Sequence, residues 1–405
     1  MLSKSSFLNN NKIFLSLFLL CFISRSIIAF FYGDRFLENE WAILVKNLYL
    51  YNSFSLINFG DIFLPNLWMP PIYGYFVYLH ALIFGLNENL AAYVNITQII
   101  ISSFTPIIFY KLISNFFSKN LSIIGSYVFG LFPLVVYSAS QISSVTIYLF
   151  LLLSFIYLII NLNNNKSFKY FFLIGFLAGI LVLTRRDFIL IFIFSLFYSF
   201  FFFKIKFKKI VYMLLITLVT LSPYLIRNYV AFDKLIIHSG LGYNIWKAYN
   251  PSAEVEGYYE ATNELKIKLE KVDKNINYRI NEDKVYLDQA LVYLKENPKK
   301  YINLFFKRLF SFYFYDDNSS QKNYYNKLHL APNIIIAFLS LFGLIIFYKK
   351  KEIKYYYLIL LMMIILVVYA CFALLPRYKI YILPFQIILN LSFIEFLLAK
   401  FIKKN

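Results

Sequence analysis

The chain has 405 residues, 60% of them hydrophobic and 21% aromatic, with a formal net charge of +19 and only 12 Gly and 11 Pro. No soluble domain needs that apolar fraction, and runs of about 20 apolar residues recur along most of the length, so the class is an all-α polytopic membrane protein. The charge does not indicate a nucleic-acid partner. Lys4 and Lys12, Lys111 and Lys119, Lys166 and Lys169, Lys204, Lys206, Lys208 and Lys209, Lys349, Lys350, Lys351 and Lys354, and Lys400, Lys403 and Lys404 place 17 positive charges in short breaks against one acid, Glu352. That is the pattern of cytoplasmic loops, a statement about topology.

In chain order, Ile13 to Tyr32 is too long for a signal-peptide core, lacks a small-residue cleavage site and contains Arg25, so a retained span is expected. Residues 33–90 follow as an outer loop that opens GDRFLENEW, with Asp34, Glu38 and Glu40 crowded together. Trp41, Leu44, Val45 and Leu48 then follow the i, i+3, i+4, i+7 spacing of an amphipathic helix that Asn39 is placed to cap, and such a helix is expected to rest on the membrane surface. The apolar stretch Ile72 to Phe84 is read as interfacial or re-entrant, because a crossing there would invert every later basic loop. Further crossings are expected near 91–112, 121–139, 142–162, 168–185, 188–203, 209–230, 331–348, 355–374 and 377–399, about ten in all, with both termini cytoplasmic. Residues 231–328 hold 13 of the 21 acids and read as a small outer domain, with helices from about Glu282 to Glu296 and after Pro298. Within it, Lys299 to Tyr313 alternates basic and aromatic faces, as expected for a helix lying at the headgroups. The expected division is therefore a transmembrane module at 1–230, an outer hydrophilic segment at 231–328 and C-terminal spans at 329–405. Cys21 and Cys371 fall within predicted spans, where a disulfide has no structural task.

Most soluble-enzyme signatures are missing: no Walker loop, G-x-G-x-x-G, H-E-x-x-H or nucleophile elbow, and only three histidines, His80, His238 and His329. What remains is charge at the outer ends of spans: Arg25, the Arg185-Arg186-Asp187 turn, Arg227 with Asn228, and Arg377 with Lys379. Each Arg alone reads equally well as snorkelling to headgroups. Four such sites on the side the positive-inside rule disfavours point instead to guanidinium groups gripping a lipid phosphate. Asp34 and Glu38 alone read as loop solvation and Glu40 as a helix-dipole partner. Beside a cationic face, the three acids suggest a base for an acceptor hydroxyl while Arg residues stabilise a departing phosphate. Three carboxylates could also hold a divalent cation, Mg2+ or Mn2+, although no motif demands a metal.

Several blocks resemble the membrane-embedded GT-C glycosyltransferases of the protein O-mannosyltransferase and lipid A aminoarabinose-transferase group. They are ENEWAILVKNLYLYNSFS, NLWMPPIYGYF and LIFGLNENLAAYVNITQ in the first loop and beyond, LAGILVLTRRDF, SPYLIRNYVAFDKLIIHSGLGYNIWKAYNP, DKVYLDQALVYLKENPKKYINLFFKRLFSFY and PRYKIYILPF. The resemblance runs through nearly the whole chain. It implies an inverting transfer of a hexosyl or pentosyl group from a polyprenyl-phosphate sugar to a glycan, lipid or protein acceptor at the periplasmic face of a bacterial-type inner membrane, in building a cell envelope glycan such as lipopolysaccharide. An acid of the first loop would be the base. The group's Asp-Glu pair falls here on Leu37 and Glu38, so Asp34 substitutes from the preceding turn or Glu38 acts with Glu40; Glu38 and Asp34 rank ahead of Glu40. Ile380 and Tyr381 follow Tyr378 without the family's first proline, a change expected to affect packing more than chemistry. Arg377, Arg227 and Arg186 are the better candidates for donor phosphate, with Arg185, Arg25 and Tyr378 beside them. Trp246, Lys247, Asn250 and Pro251 form either an acceptor loop or, by preference, a structural clasp.

Three rivals remain on the sequence. A transporter or flippase needs midplane carboxylates, and Glu395 is the only acid well inside a predicted span; no inverted repeat is apparent. A glycan polymerase or ligase would use outer Arg residues without the acidic loop. A non-catalytic scaffold is suggested by the displaced Asp.

Overall fold

The computed structural model describes residues 4–165, 167–316 and 318–402; Lys166, Lys403 and Lys404 of the basic breaks lie outside the described residues. Helix α1 (Lys4–Tyr32) runs unbroken to Gly33, where a Cβ would lie 2.5 Å from the Ala29 carbonyl oxygen. The chain therefore turns off the helix tightly and delivers the acidic loop beside its end.

Helix α2 (Asn39–Tyr51) begins one residue earlier than the sequence suggests. Glu38 occupies the cap position and makes no capping bond, and Asn39 is already helical. Its stripe of Leu44, Val45 and Leu48 is buried, not laid on the membrane surface. The stripe packs on α3 (Pro71–Phe84) and on a hairpin of β1 (Ser55–Phe59) and β2 (Ile62–Pro65) that turns at Gly60. The hairpin departs from an all-helical chain, and it supplies the partner that the amphipathic face needed.

Helices α4 (Leu90–Ile113), α5 (Lys119–Gly130), α6 (Pro133–Ala139), α7 (Ser144–Ile160), α8 (Phe168–Thr184), α9 (Phe188–Phe201) and α10 (Phe207–Phe232) follow. The crossing expected at 121–139 is broken, with α5 and α6 bent by 52° and Pro133 in the first turn of α6. A Cβ on Gly179 of α8 would lie 2.5 Å from Thr220 of α10, so the small residue allows the two helices to approach closely.

The outer segment folds as α11 (Leu241–Tyr249), α12 (Asn263–Glu270), α13 (Tyr278–Glu296) and α14 (Pro298–Tyr313). Arg308 of α14 is fully buried rather than at headgroups, donating to the carbonyls of Ala248, Glu254 and Val255. It ties α14 to the turn after α11. Three apolar helices follow, α15 (Lys327–Lys349), α16 (Ile353–Ala370) and, after a 3-10 turn at Pro376–Tyr381, α17 (Leu383–Ile402). Lys379 in that turn is buried, and its ammonium donates to the Phe312 and Tyr313 carbonyls at the C-terminus of α14, where a cation suits the helix dipole.

Among the described residues six helices are long and apolar enough to cross a membrane, and bent α5–α6 would make a seventh. The crossings expected at 142–162, 168–185 and 188–203 are helices of 17, 17 and 14 residues, shorter than the ~20 a straight span needs. Lys204, Lys206 and Lys209 gather beside Leu162 and Asn163 at one end of α7, α8 and α9. Lys350, at the C-terminal cap of α15, pairs with Glu395 of α17 at 3.0 Å, so that acid has a cation beside it at the end of α15.

Candidate functional site

At the end of α7–α9 opposite those lysines lies a cavity of about 460 Å³. Its acidic wall is the first loop, with Asp34, Arg35, Glu38 and Glu40. Trp41, Trp68 and the turn Ile142–Val145 continue that wall, and Arg185, Arg186, Asp187, Lys247, Arg377 and Tyr378 form a cationic one. Residues scattered over nearly the whole sequence are thus brought to one place.

The acidic loop is stapled to the α6–α7 turn. One Asp34 oxygen accepts the Ile142 N–H at 2.7 Å, the Asp34 N–H donates to the Ser140 carbonyl at 3.2 Å, and Asn95 donates to the Asp34 carbonyl at 2.9 Å. Gln141 donates to the Tyr32 carbonyl at 3.0 Å. Burial raises the Asp34 pKa; the Ile142 bond opposes this and the Glu38 charge adds to it. A half-buried carboxylate with one fixed oxygen and a raised pKa is a better base than a solvated one. Glu38 and Glu40 are exposed on the rim.

On the other wall Arg185 is caged. Its guanidinium carbon lies 5.5, 5.6, 4.5 and 5.3 Å from the rings of Tyr148, Tyr369, Tyr378 and Tyr381. Its Nε donates to Asp187 at 3.1 Å, and Asp187 accepts in turn from the Tyr369 hydroxyl at 2.6 Å. Burial works against the Arg185 charge, but Asp187 and the tyrosines outweigh it and hold its pKa well above the ordinary value. Arg377 makes no ion pair among the described residues and faces the Tyr378 ring at 5.7 Å. Burial would raise the Tyr378 pKa, yet Arg185 and Arg377 together bring it down to about 8. Asp187 balances Arg185, and Arg377 has no carboxylate partner among the described residues, so the two guanidinium groups around Tyr378 carry one uncompensated charge suited to a phosphate. Lys247, whose pKa burial lowers, completes this wall.

The other candidates bond to the protein's own polar groups or pack in its interior. Arg25 is fully buried in α1, donating to Ser102 at 2.7 Å and to the Cys21 and Gly130 carbonyls at 3.1 and 2.9 Å. It satisfies the carbonyl freed where α5 ends and does not reach the cavity. Arg227 clamps the Asn66 and Phe54 carbonyls at 2.9 and 3.4 Å, fixing the hairpin loop. Arg186 lines the cavity, but its terminal nitrogens hold the Ser239 and Gly240 carbonyls at 3.0 and 3.1 Å, setting the start of α11. Trp246 is buried against Leu265 and Ala290, and Asn250 closes a turn onto the Tyr258 carbonyl at 2.7 Å. Of the loop's four named candidates, Trp246, Lys247, Asn250 and Pro251, Lys247 alone lines the cavity.

Sequence reading missed Trp68, Tyr243, Asn244 and His238 as wall residues. His238 has Nδ1 3.1 Å from the Leu67 carbonyl, Nε2 unpartnered, and a pKa lowered to about 4 by burial and Arg186, so the ring is neutral. The only signal was the local clustering of HSGLGYN after a span end. Among the described residues no three His, Cys, Asp or Glu side chains gather as a metal-binding group; the first-loop acids are spread along the rim.

Residues 69–226 match the family described as dolichyl-phosphate-mannose-protein mannosyltransferase. The oligosaccharyltransferase of Archaeoglobus fulgidus, tethered with an acceptor peptide containing the NVT sequon, aligns at TM-score 0.57 and 13% identity over 96% of this chain and 50% of its own. Its complex with an inhibitory peptide and a dolichol-phosphate aligns at 0.55 and 14% over the same shares. The fold is that of the GT-C glycosyltransferases. This chain spans about half the length of the archaeal enzyme. ArnT of Cupriavidus metallidurans bound to undecaprenyl phosphate aligns at 0.42 and 9% identity, over 94% of this chain and 77% of its own. No curated protein sequence matches it.

Proposed function

We propose that the protein is an inverting glycosyltransferase that moves a hexosyl or pentosyl group from a polyprenyl-phosphate carrier to a cell-surface acceptor. The observation that carries this reading is the meeting of the first-loop acids with Arg185, Arg377, Tyr378 and Lys247 across one cavity. The donor phosphate binds the cationic wall, and the acceptor hydroxyl approaches the acids. Asp34 takes the hydroxyl proton as the acceptor oxygen bonds to the anomeric carbon from the face opposite the phosphate. The bond from that carbon to the phosphate oxygen breaks, and its electron pair leaves on the phosphate, whose growing charge the guanidinium groups meet. Glu38 keeps the Asp34 carboxyl basic, and Glu40 borders the acceptor side.

The lysine clusters at the far end of α7–α9 support a cavity open to the periplasmic side of a bacterial-type inner membrane, with both termini cytoplasmic. In this reading residues 1–230 are the catalytic module, 231–328 the outer segment and 329–405 the closing spans. The archaeal relative's acceptor peptide and dolichol-phosphate are of the two substrate kinds this reading requires. The test is to add purified protein to a panel of polyprenyl-phosphate sugars and measure release of free lipid phosphate. Release from at least one donor is expected; none from any donor refutes the reading.

A further inference from the structure

The central cavity shares its walls with two others. Lys247 also lines a cavity of about 620 Å³ toward α14, where Val255, Phe310 and Leu375 are apolar neighbours. Glu40, Trp68 and Tyr243 also line a third, of about 270 Å³, closed by Ile43, Leu56, Arg279, Glu282 and Tyr286. Tyr243 and Lys247 are one turn apart on the same face of α11, so the two side cavities adjoin the site one turn apart along that helix. The second adjoins the cationic wall and the third the acidic wall.

We propose that the third cavity is the acceptor subsite and that its occupant is a sugar ring of a glycan; this rests on the transferase reading above. An acceptor must bring its hydroxyl to the acids, and the third cavity reaches them across Glu40. Its lining suits a pyranose. Glu40 and Glu282 accept from hydroxyls, Arg279 donates to ring and hydroxyl oxygens, and Trp68, Ile43 and Leu56 offer apolar surface to C–H faces. The polar groups are already set: Arg279 bonds Glu282 at 2.5 Å and lies 5.0 Å from the Trp68 ring, and Trp68 meets Tyr243 edge-on at 4.8 Å. One wall comes from α2 of the first loop and the other from α13 of the outer segment, so ring recognition is coupled to placement of the acids.

Trp246 is buried, Trp41 lines the central cavity alone and Trp68 lines both that cavity and this one, so quenching that weakens in a variant altered only in the third cavity reports on Trp68 there. The full-length protein in detergent is titrated with maltose, lactose and N,N'-diacetylchitobiose, and separately with the tripeptide Asn-Val-Thr and with undecaprenyl phosphate, following intrinsic fluorescence. Ile43→Phe fills the cavity from the exposed face of α2, where Ile43 is 46% exposed, and leaves every hydrogen bond in place. Saturable quenching by at least one disaccharide is expected, weakened about tenfold in Ile43→Phe, with undecaprenyl phosphate binding equal in both proteins. The subsite is overturned if no disaccharide binds, if Ile43→Phe binds it unchanged, or if only the tripeptide binds and loses affinity in Ile43→Phe. Disaccharide binding without undecaprenyl phosphate binding would leave the sugar subsite standing and count against the donor side of the transferase reading.

Discussion

Asp34→Asn separates the base from the scaffold. The amide oxygen can still accept the Ile142 N–H that the carboxylate holds at 2.7 Å, and the backbone bonds to Ser140 and Asn95 do not involve the side chain. The loop therefore keeps its place while the proton acceptor is lost. A positioned general base contributes about 10²- to 10⁴-fold, so turnover should fall by that factor, about 3–5 kcal/mol in the barrier. The pH dependence gives a second reading. Burial raises the Asp34 pKa, so the wild-type rate should rise with pH through a limb above the usual carboxylate range and flatten once Asp34 is ionised; this limb should vanish in Asp34→Asn. Rates are read as lipid-phosphate release, with thermal stability measured alongside. Turnover within about threefold of wild type, with the acid limb unmoved, would refute the assignment. The same comparison on Glu38→Gln should show a smaller loss and a lower acid limb, because the like charge that lifts Asp34 is gone.

Tyr378 has a pKa of about 8, so as pH rises through that value the phenolate competes with phosphate for Arg185 and Arg377. Donor affinity should weaken on the alkaline side, measured as a rising donor KM, and Tyr378→Phe should abolish that limb. Arg25→Met takes the guanidinium from the Ser102 hydroxyl and the Gly130 carbonyl, while the Cys21 carbonyl keeps the Ser24 hydroxyl, so melting temperature should drop while donor KM stays unchanged. Each group left unpaired costs about 1–3 kcal/mol; a changed KM at unchanged stability would return Arg25 to the phosphate site. Arg308→Met should loosen α14 from the turn at Ala248–Val255, seen as faster proteolysis or amide exchange in residues 248–313, and protection equal to wild type would contradict the anchoring role.

Much of the site was legible because charge at span ends is costly in a membrane and has to be explained. That argument found Asp34, Glu38, Glu40, Arg185, Arg186 and Arg377, and the structure gathers all six around one cavity. It also selected Arg25 and Arg227, since a sequence shows that a guanidinium is present but not that free carbonyls await it. For Arg25 one of those carbonyls comes from the bend between α5 and α6, invisible in a continuous apolar run. The α2 stripe was seen at the right positions but assigned to lipid, because nothing in its spacing revealed that the hairpin and α3 fold back onto it. The outer helices were placed closely: α13 begins one turn before the expected Glu282, and α14 starts at Pro298. Trp68, Tyr243 and His238 lie in the blocks NLWMPPIYGYF and HSGLGYN, but nothing in those blocks singled them out, since aromatic residues are common throughout this chain and their role depends on the close packing of α11 against the first loop.

The central claim is a division of labour between two walls, and it is tested most directly by measuring donor binding and turnover separately in two variants, once a donor is found in the panel. Asp34→Asn should bind that polyprenyl-phosphate sugar as wild type does and fail to turn it over. Arg377→Gln should bind it at least about tenfold more weakly, the loss of a charge-assisted contact. Weak binding in Asp34→Asn together with wild-type binding in Arg377→Gln would contradict the account.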